Sequence, residues 1–334
     1  MLDRARLEKV LDRFGEVRLL VVGDVVLDEY VVGEVERVSP EAPVPVVRVE
    51  REERALGGAA NVARNVVALG GRVDLCGLVG DDEAGASVVA LLQELGVASE
   101  GLVIDAGRPT TRKTRIVARG QQVVRFDRET AEPPAVALAE RLEAEALRAL
   151  PRAQGVVLED YGKGALAGEL PRRLIAACNE ARIPVAVDPK RSLEHYRGAD
   201  LVKPNLREAE RLAGVEAGDP GGLDRAVTEL RKRVGDAAVV VTRGSGGMVL
   251  FESDGPGTVV ATPNREVFDV QGAGDTTIAA LSLALRAGAT LREAAVIANA
   301  AAGVVVAKVG TATAEPSEVR AELGAAIAAA EEST

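Results

Sequence analysis

Six short runs in this chain are apolar throughout and rich in β-branched residues: 19–24 (LLVVGD), 73–80 (VDLCGLVG), 155–160 (GVVLED), 183–188 (IPVAVD), 199–205 (ADLVKPN) and 237–244 (AAVVVTRG). A strand with one wet face alternates apolar with polar residues. These do not, so they read as strands buried on both faces, which requires a mainly parallel sheet sandwiched between helices. Alanine-rich stretches with helical spacing separate them, and helices are expected at 59–69, 82–95, 135–149, 168–181, 205–213, 222–234, 273–287, 291–308 and 316–330. The expected fold class is α/β, a doubly wound mainly parallel sheet. At 334 residues the chain has room for two domains or for one large α/β unit with an appendage, and the second reading is adopted over residues 1–334.

The appendage is visible as a break in the rhythm. Residues 43–55 (PVPVVRVEREERA) and 111–127 (TRKTRIVARGQQVVRFD) alternate apolar with charged side chains, and neither is followed immediately by a helix. They read as a small separate β-sheet, a lid formed by segments at about 30–55 and 108–128. Such a sheet has apolar faces and open edges that a second subunit would cover, so a homodimer through the lid is expected.

Charge and composition remove whole classes of function. Fifty-one acidic against 41 basic residues leave a net charge of −10, which excludes a general basic surface for nucleic acid. The longest apolar stretch, near 294–307, contains Asn299 and stops at Lys308, short of the roughly 20 residues of a membrane span. The amino terminus is charged and amphipathic without the apolar block of a signal peptide, so a cytoplasmic protein without a membrane partner is expected. Cys76 and Cys178 lie far apart in apolar runs and read as buried thiols. His195 is the only histidine and sits in a polar connector, which argues against two-histidine metal sites and a Ser-His-Asp triad.

Chemistry concentrates in a few places. In DVQGAGDTT, residues 269–277, Gly272, Ala273 and Gly274 open a helix, where unhindered backbone N–H groups form an anion hole suited to phosphate. Asp275 follows in the first turn, either as an N-terminal stabiliser or as a general base. Asn205 and Glu208 form Asn-x-x-Glu after a strand, equally a capping box or an oxygen pair for hydrated Mg²⁺. The glycine-rich turn VTRGSGG offers Thr242, Gly244 and Gly246 as a nucleotide-phosphate loop. No GxxxxGK[ST] loop and no GxGxxG after the first strand occurs, so ATP must be held in another way. Asp24, ending the first strand, and GGAANVARN, with Gly57, Gly58 and Asn61, suit a polyol. Arg112, Lys113, Arg115 and Arg125 cluster in the lid segment, as a solvated face or as a clamp for an anionic acceptor.

In this order and spacing, the early GD, GGAANVARN, NLRE, VTRGSGG and DVQGAGD resemble the ribokinase-like (PfkB) carbohydrate kinases over nearly the whole chain. SPEAPVPV, the GQQVVRFD stretch and AAGVVVAKVGTAT are similar to the kinases of lipopolysaccharide heptose synthesis within that family. The resemblance implies an ATP- and Mg²⁺-dependent transfer to the anomeric hydroxyl of a phosphosugar, D-glycero-D-manno-heptose 7-phosphate. It implies Asp275 as general base, Gly272 to Gly274 as the anion hole, and Asn205 and Glu208 for Mg²⁺, largely through water. Thr242, Gly244 and Gly246 would line the ATP groove with Asn299 near the adenine, and Asp24, Gly57, Gly58 and Asn61 would hold the sugar. Asp269 matches a monovalent-cation position and so raises K⁺ as a cofactor. Lys190 is expected to meet phosphate, and Arg112, Lys113 and Arg125 the 7-phosphate. Such kinases are often fused to an adenylyltransferase; this chain, without room for one and without its two histidines, resembles the stand-alone form. Another sugar or nucleoside kinase of the family is the alternative, and a sensor without turnover a more distant one.

Overall fold

A computed structural model of the chain describes residues 2–253, 255–264, 267–308 and 310–333. Its strands are β1 (Arg18–Gly23), β2 (Val25–Val38), β3 (Pro45–Gly58), β4 (Arg72–Gly80), β5 (Leu102–Asp105), β6 (Thr111–Ala118), β7 (Gln121–Arg128), β8 (Gly155–Glu159), β9 (Val185–Asp188), β10 (Leu201–Val202), β11 (Ala238–Thr242), β12 (Met248–Phe251) and β13 (Thr258–Val260). The helices are α1 (Arg4–Asp12), α2 (Ala59–Ala68), α3 (Glu83–Glu94), α4 (Val136–Ala149), α5 (Leu170–Ala181), α6 (Leu206–Ala213), α7 (Gly222–Val234), α8 (Ala273–Arg286), α9 (Leu291–Val306) and α10 (Pro316–Glu332). Nine strands form the main sheet in the order β13-β12-β11-β10-β9-β8-β1-β4-β5. All neighbours from β11 to β5 pair in parallel, and the β12–β13 hairpin closes one edge antiparallel.

Burial on both faces follows the expected logic. Leu19 and Val21 of β1 enter a core with α1, α2, α3, α8, α9 and α10, while Leu20 and Val22 enter a second core with α4, α5, α6 and α7. Helix α9 is buried almost all round between α8 and α10. That accounts for the apolar 294–307 stretch: it is a core helix, and no helix among the described residues is long and apolar enough to cross a membrane.

The structure departs from the sequence reading mainly at edges. β5, β12 and β13 are only three or four residues long, and β5 and β13 are partly exposed, too short for a periodicity to register. The 199–205 run shrinks to Leu201–Val202 because Pro204 has no N–H to give to a ladder. The charged amino terminus forms α1, capped by the Asp3 side chain on the Ala5 N–H.

The smaller sheet has the order β3-β2-β6-β7, with β2 and β6 parallel and the outer pairs antiparallel. β2 begins one residue after β1 ends, and β3 runs straight into α2, contrary to the expectation that no helix follows at once. This direct connection fixes the small sheet over the carboxyl ends of the main strands. β7 is exposed along its whole length, and Val49, Val123, Val124 and Phe126 stand open to solvent.

Candidate functional site

The carboxyl ends of β8, β9, β10 and β11 deliver Glu159, Asp188, Lys203, Asn205 and Thr242 to one cavity of about 460 Å³, closed on its other side by the start of α8. Open α/β sheets bind ligands at this edge. A second, smaller cavity of about 130 Å³ lies beneath the small sheet, lined by Val26, Asp28, Gly58, Lys113, Arg115, Tyr161, Gln271, Gly272, Asp275 and Thr311. Tyr161, Gly272 and Asp275 belong to both.

Helix α8 begins without a side-chain cap, because its N-cap is Gly272 at φ +76°. A side chain there is doubly excluded: the backbone is left-handed, and a Cβ would stand 2.9 Å from Asn61 Nδ2. The Ala273 N–H turns back to the Val270 carbonyl at 3.3 Å, and the amides of Gly274 and Asp275 in the first turn are left uncapped at the cavity, with a partial positive charge. Gly274 leaves room beside them for Lys203, whose Nζ would lie 3.9 Å from a Cβ at that position.

Asp275 sits in that first turn and is 4% exposed. Asn61 Nδ2 donates to its Oδ2 at 2.6 Å and the Tyr161 hydroxyl donates to its Oδ1 at 2.8 Å. Burial pushes the carboxyl up to about 6, against the pull of those two hydrogen bonds. A carboxylate poised near neutrality beside an anion hole can accept a proton from a bound hydroxyl. Glu159, buried, and Asp188, partly buried, are both raised by desolvation first and by neighbouring carboxylates; Glu159 Oε2 has no partner among the described residues. Lys203 lies between them, its Nζ 2.6 Å from Asp188 Oδ2. Burial works to lower Lys203, yet Asp188 and Glu159 more than offset it, and the ammonium is retained.

The residues expected on the nucleotide side line one cavity, with one exception. Thr242, Gly244 and Asn299 line the larger cavity together with Lys190, Asn205 and Glu208, whereas Gly246 lies behind Ser245 and Gly247, which line it instead. Asn299 donates through Nδ2 to the carbonyls of Val260 and Ala261 at 3.1 and 3.2 Å, tying α9 to the end of β13. Asn205 and Glu208 do form a capping box, and Glu208 Oε1 also meets Lys190 Nζ at 2.6 Å. Among the described residues no three His, Cys, Asp or Glu side chains converge as a metal cage. The donor set therefore fits a cation held by one carboxylate, one amide, water and a ligand's own oxygens. Asp269 accepts from the N–H groups of Gln271 and Gly310 at 2.9 and 3.2 Å and so braces the loop that leads into the anion hole.

On the acceptor side the structure regroups the expected residues. Gly58 lines the smaller cavity, and Gly57 packs so close that a Cβ would lie 2.5 Å from Asp28 Oδ2. Asp24 lines neither cavity: its carboxylate accepts the N–H groups of Tyr161 and Lys163 on Oδ2 at 2.8 and 2.9 Å, and of Ala165 on Oδ1 at 2.9 Å. Asn61 is fully buried and holds Asp275. Both side chains are thus spent on the protein itself. In β6, Lys113 and Arg115 face the cavity, whereas Arg112, one residue out of phase, meets Glu29 at 3.8 Å on the opposite face. Arg125, opposite Arg115 on β7, pairs with Asp127 at 3.0 Å. Arg115 is fixed by Asp28 at 2.6 Å. Lys113 is different: it has no ion pair among the described residues, its Nζ stands 5.7 Å from the Tyr161 ring centroid, and burial lowers its pKa.

Tyr161, Glu159, Asp188 and Lys203 were not singled out from the sequence. A signal was available, since DYGKG closes the third of the expected strands as GD closes the first, and strand ends of a parallel sheet meet at one edge. Cys76 and Cys178 are buried with thiols pushed up to about 12.

The profile of the pfkB family carbohydrate kinases matches residues 18–318. The chain is 44% identical over 311 residues to the bifunctional protein HldE of Desulfatibacillum aliphaticivorans, covering 93% of this chain and 64% of that one. It is 48% identical over 309 residues to the protein of the same name from Caulobacter sp. (strain K31), covering 91% and 62%. The chain thus spans somewhat less than two thirds of the length of these relatives. Its fold is similar to Arabidopsis thaliana ribokinase complexed with ribose and ATP (TM-score 0.72, 23% identity, 92% of this chain and 98% of that one). It is equally similar to Escherichia coli phosphofructokinase-2 in complex with potassium (TM-score 0.75, 24% identity, 93% and 99%).

Proposed function

Since the chain belongs to the pfkB family of carbohydrate kinases, we propose that it transfers the γ-phosphoryl group of ATP to the anomeric hydroxyl of D-glycero-D-manno-heptose 7-phosphate. One observation carries the acceptor class: Lys113 is a half-buried cation without an ion-pair partner among the described residues, aimed into the cavity that holds Asp275. Burial outweighs the pull of Asp127 and Asp28 on this ammonium, so a further anion in the cavity would stabilise it, and a neutral sugar has no such group. The resemblance of SPEAPVPV, GQQVVRFD and AAGVVVAKVGTAT to the heptose kinases supports the same choice.

In this reading Asp275 takes the proton of the acceptor hydroxyl while its oxygen bonds to the γ-phosphorus. The bond from that phosphorus to the bridging oxygen breaks, and ADP leaves. The first-turn amides from Gly272 to Gly274 stabilise the charge on the transferring group, so most of the acceleration comes from positioning and electrostatics. Thr242, Gly244 and Asn299 contact the nucleotide, with Gly246 shaping the turn behind Ser245 and Gly247, and Lys190 moves from Glu208 to phosphate. Asn205 and Glu208 would hold Mg²⁺, which when bound would neutralise charge on the phosphates. Asp269 is the residue for K⁺ if a monovalent cation is used. Gly57 and Gly58 let the sugar approach the backbone, and Lys113 with Arg115 binds the 7-phosphate, Arg125 reaching it from the rim of the lid. Arg112, turned to Glu29, supports the sheet. The exposed faces of β3 and β7 are covered by a second copy of the chain, giving a homodimer.

ADP release is measured with ATP and Mg²⁺ over heptose 7-phosphate, ribose, fructose and fructose 6-phosphate. Turnover confined to the heptose 7-phosphate is expected, and Lys113→Met lowers its kcat/KM by about 10- to 100-fold, the range of a hydrogen bond to a charged group, with the KM for ATP unchanged. Preference for a neutral sugar overturns the assignment.

A further inference from the structure

Tyr161 stands where the two cavities meet, with its hydroxyl on Asp275 and its ring beneath Lys113. The base already has a donor in Asn61, so a phenol is not needed merely to satisfy it. The loop that carries the phenol is fixed with unusual thoroughness. Asp24 accepts its three N–H groups, from Tyr161, Lys163 and Ala165. Asp160 accepts the Gly162 N–H at 2.7 Å, the Tyr196 hydroxyl at 2.9 Å and the Lys190 N–H at 3.2 Å. Two carboxylates given over to six such bonds hold one short loop at the edge of the sheet. The side chain this loop places at the junction of the cavities is Tyr161.

We propose that Tyr161 is a positioning residue of the transfer step, which orders both ends of the acceptor at once: the base through its hydroxyl and the cation of the anion-binding end through its ring. Asp24 acts one step further back, by holding the loop. The proposal rests on the reading of Asp275 as the base. The groups that face Asp275 are Glu159 at the end of β8, Asp188 at the end of β9, Lys203 after β10, Asp28, Lys113 and Arg115 across the smaller cavity, and Asn61 and Tyr161, which touch it. Of these, Glu159 and Asp188 disfavour its charge and Lys203 favours it; none of the three is altered by changing Tyr161.

Two substitutions separate the two contacts. Tyr161→Phe keeps the ring under Lys113 and removes only the hydroxyl. The KM for the phosphosugar is expected to stay within about twofold while kcat falls about 10- to 100-fold. Because a hydrogen bond donated to a carboxylate favours its charged form, the acid limb of kcat/KM moves to higher pH. Tyr161→Leu removes both contacts, so the phosphosugar KM rises as well. A residue that served only to keep the fold would change both variants alike and leave the limb where it was.

The same displacement is read without turnover from the side-chain ¹³C resonance of Asp275, identified by its loss in Asp275→Asn. Its titration midpoint is higher in Tyr161→Phe than in the wild type. An unchanged midpoint together with an unchanged pH profile overturns the proposal. Wild-type preference for a neutral sugar instead fails the acceptor assignment, and the Phe variant is then compared on that sugar.

Discussion

Replacing Asp275 by Asn removes a buried charge while keeping the shape of the side chain, and its effect on folding should depend on pH. In the folded chain burial holds this carboxyl at about 6, against an ordinary value of 3.8. The unfolded chain releases the proton near the lower value. Folding therefore takes up a proton between the two, and stability falls as pH rises through that window, reaching its full deficit above pH 6. At 1.36 kcal/mol per pH unit the deficit is about 3 kcal/mol. An asparagine is neutral throughout, so the variant gains on the wild type at neutral pH and gains little near pH 4. The substitution also leaves one acceptor oxygen for two donors, Asn61 and Tyr161. That loss is nearly independent of pH and cancels when two pH values are compared. About half of the 3 kcal/mol opens between pH 5 and pH 8. Urea unfolding of both proteins at those two pH values should show the difference moving in favour of the variant by about 1.5 kcal/mol. The same difference at both would refute the placement of an ionised Asp275 in a desolvated site.

The same variant should bind ATP and the phosphosugar but turn over about 10²- to 10⁴-fold more slowly, while wild-type kcat/KM declines below about pH 6 as Asp275 gains its proton; turnover near the wild-type rate would remove it as the base. Gly272→Ala forces a methyl into left-handed backbone, 2.9 Å from Asn61 Nδ2. A loss of about 1–3 kcal/mol in thermal unfolding is expected, together with lower kcat because Asn61 is pushed off the base. Phe126→Glu places a charge on the exposed face of β7 and should convert a dimer to a monomer in sedimentation velocity; a wild type that is already monomeric would contradict the covering of that face by a second copy.

The helical stretches were legible because helical periodicity survives in any sequence that buries one face, and α7 forms over the very residues its spacing marks. The parallel sheet was legible for the complementary reason, since strands dry on both faces have no polar positions to disguise them. Small edge strands such as β5 and β13 escaped, being shorter than the period that would reveal them. The uncapped start of α8 could also be read directly. A glycine at a helix start, followed by a carboxylate in the first turn, is a local arrangement, and local order is what neighbouring residues encode.

What the sequence by itself determined, then, was the α/β sandwich, the glycine-opened start of α8 and the position of Asp275 in it. Tertiary structure decided the partners of each side chain. Asp24 and Asn61 look like sugar ligands in sequence, yet the fold turns one to the loop at 161–165 and the other to Asp275. Lys113 and Arg112 are adjacent in the chain, and the pleat of β6 sends one to the cavity and the other to Glu29. Glu159 and Tyr161 at the end of β8, Asp188 at the end of β9 and Lys203 after β10 come from three strand ends that converge only when the parallel sheet closes. Hydrogen bonds and ion pairs act over a few ångströms of space, and a sequence gives the distance between residues only along the chain.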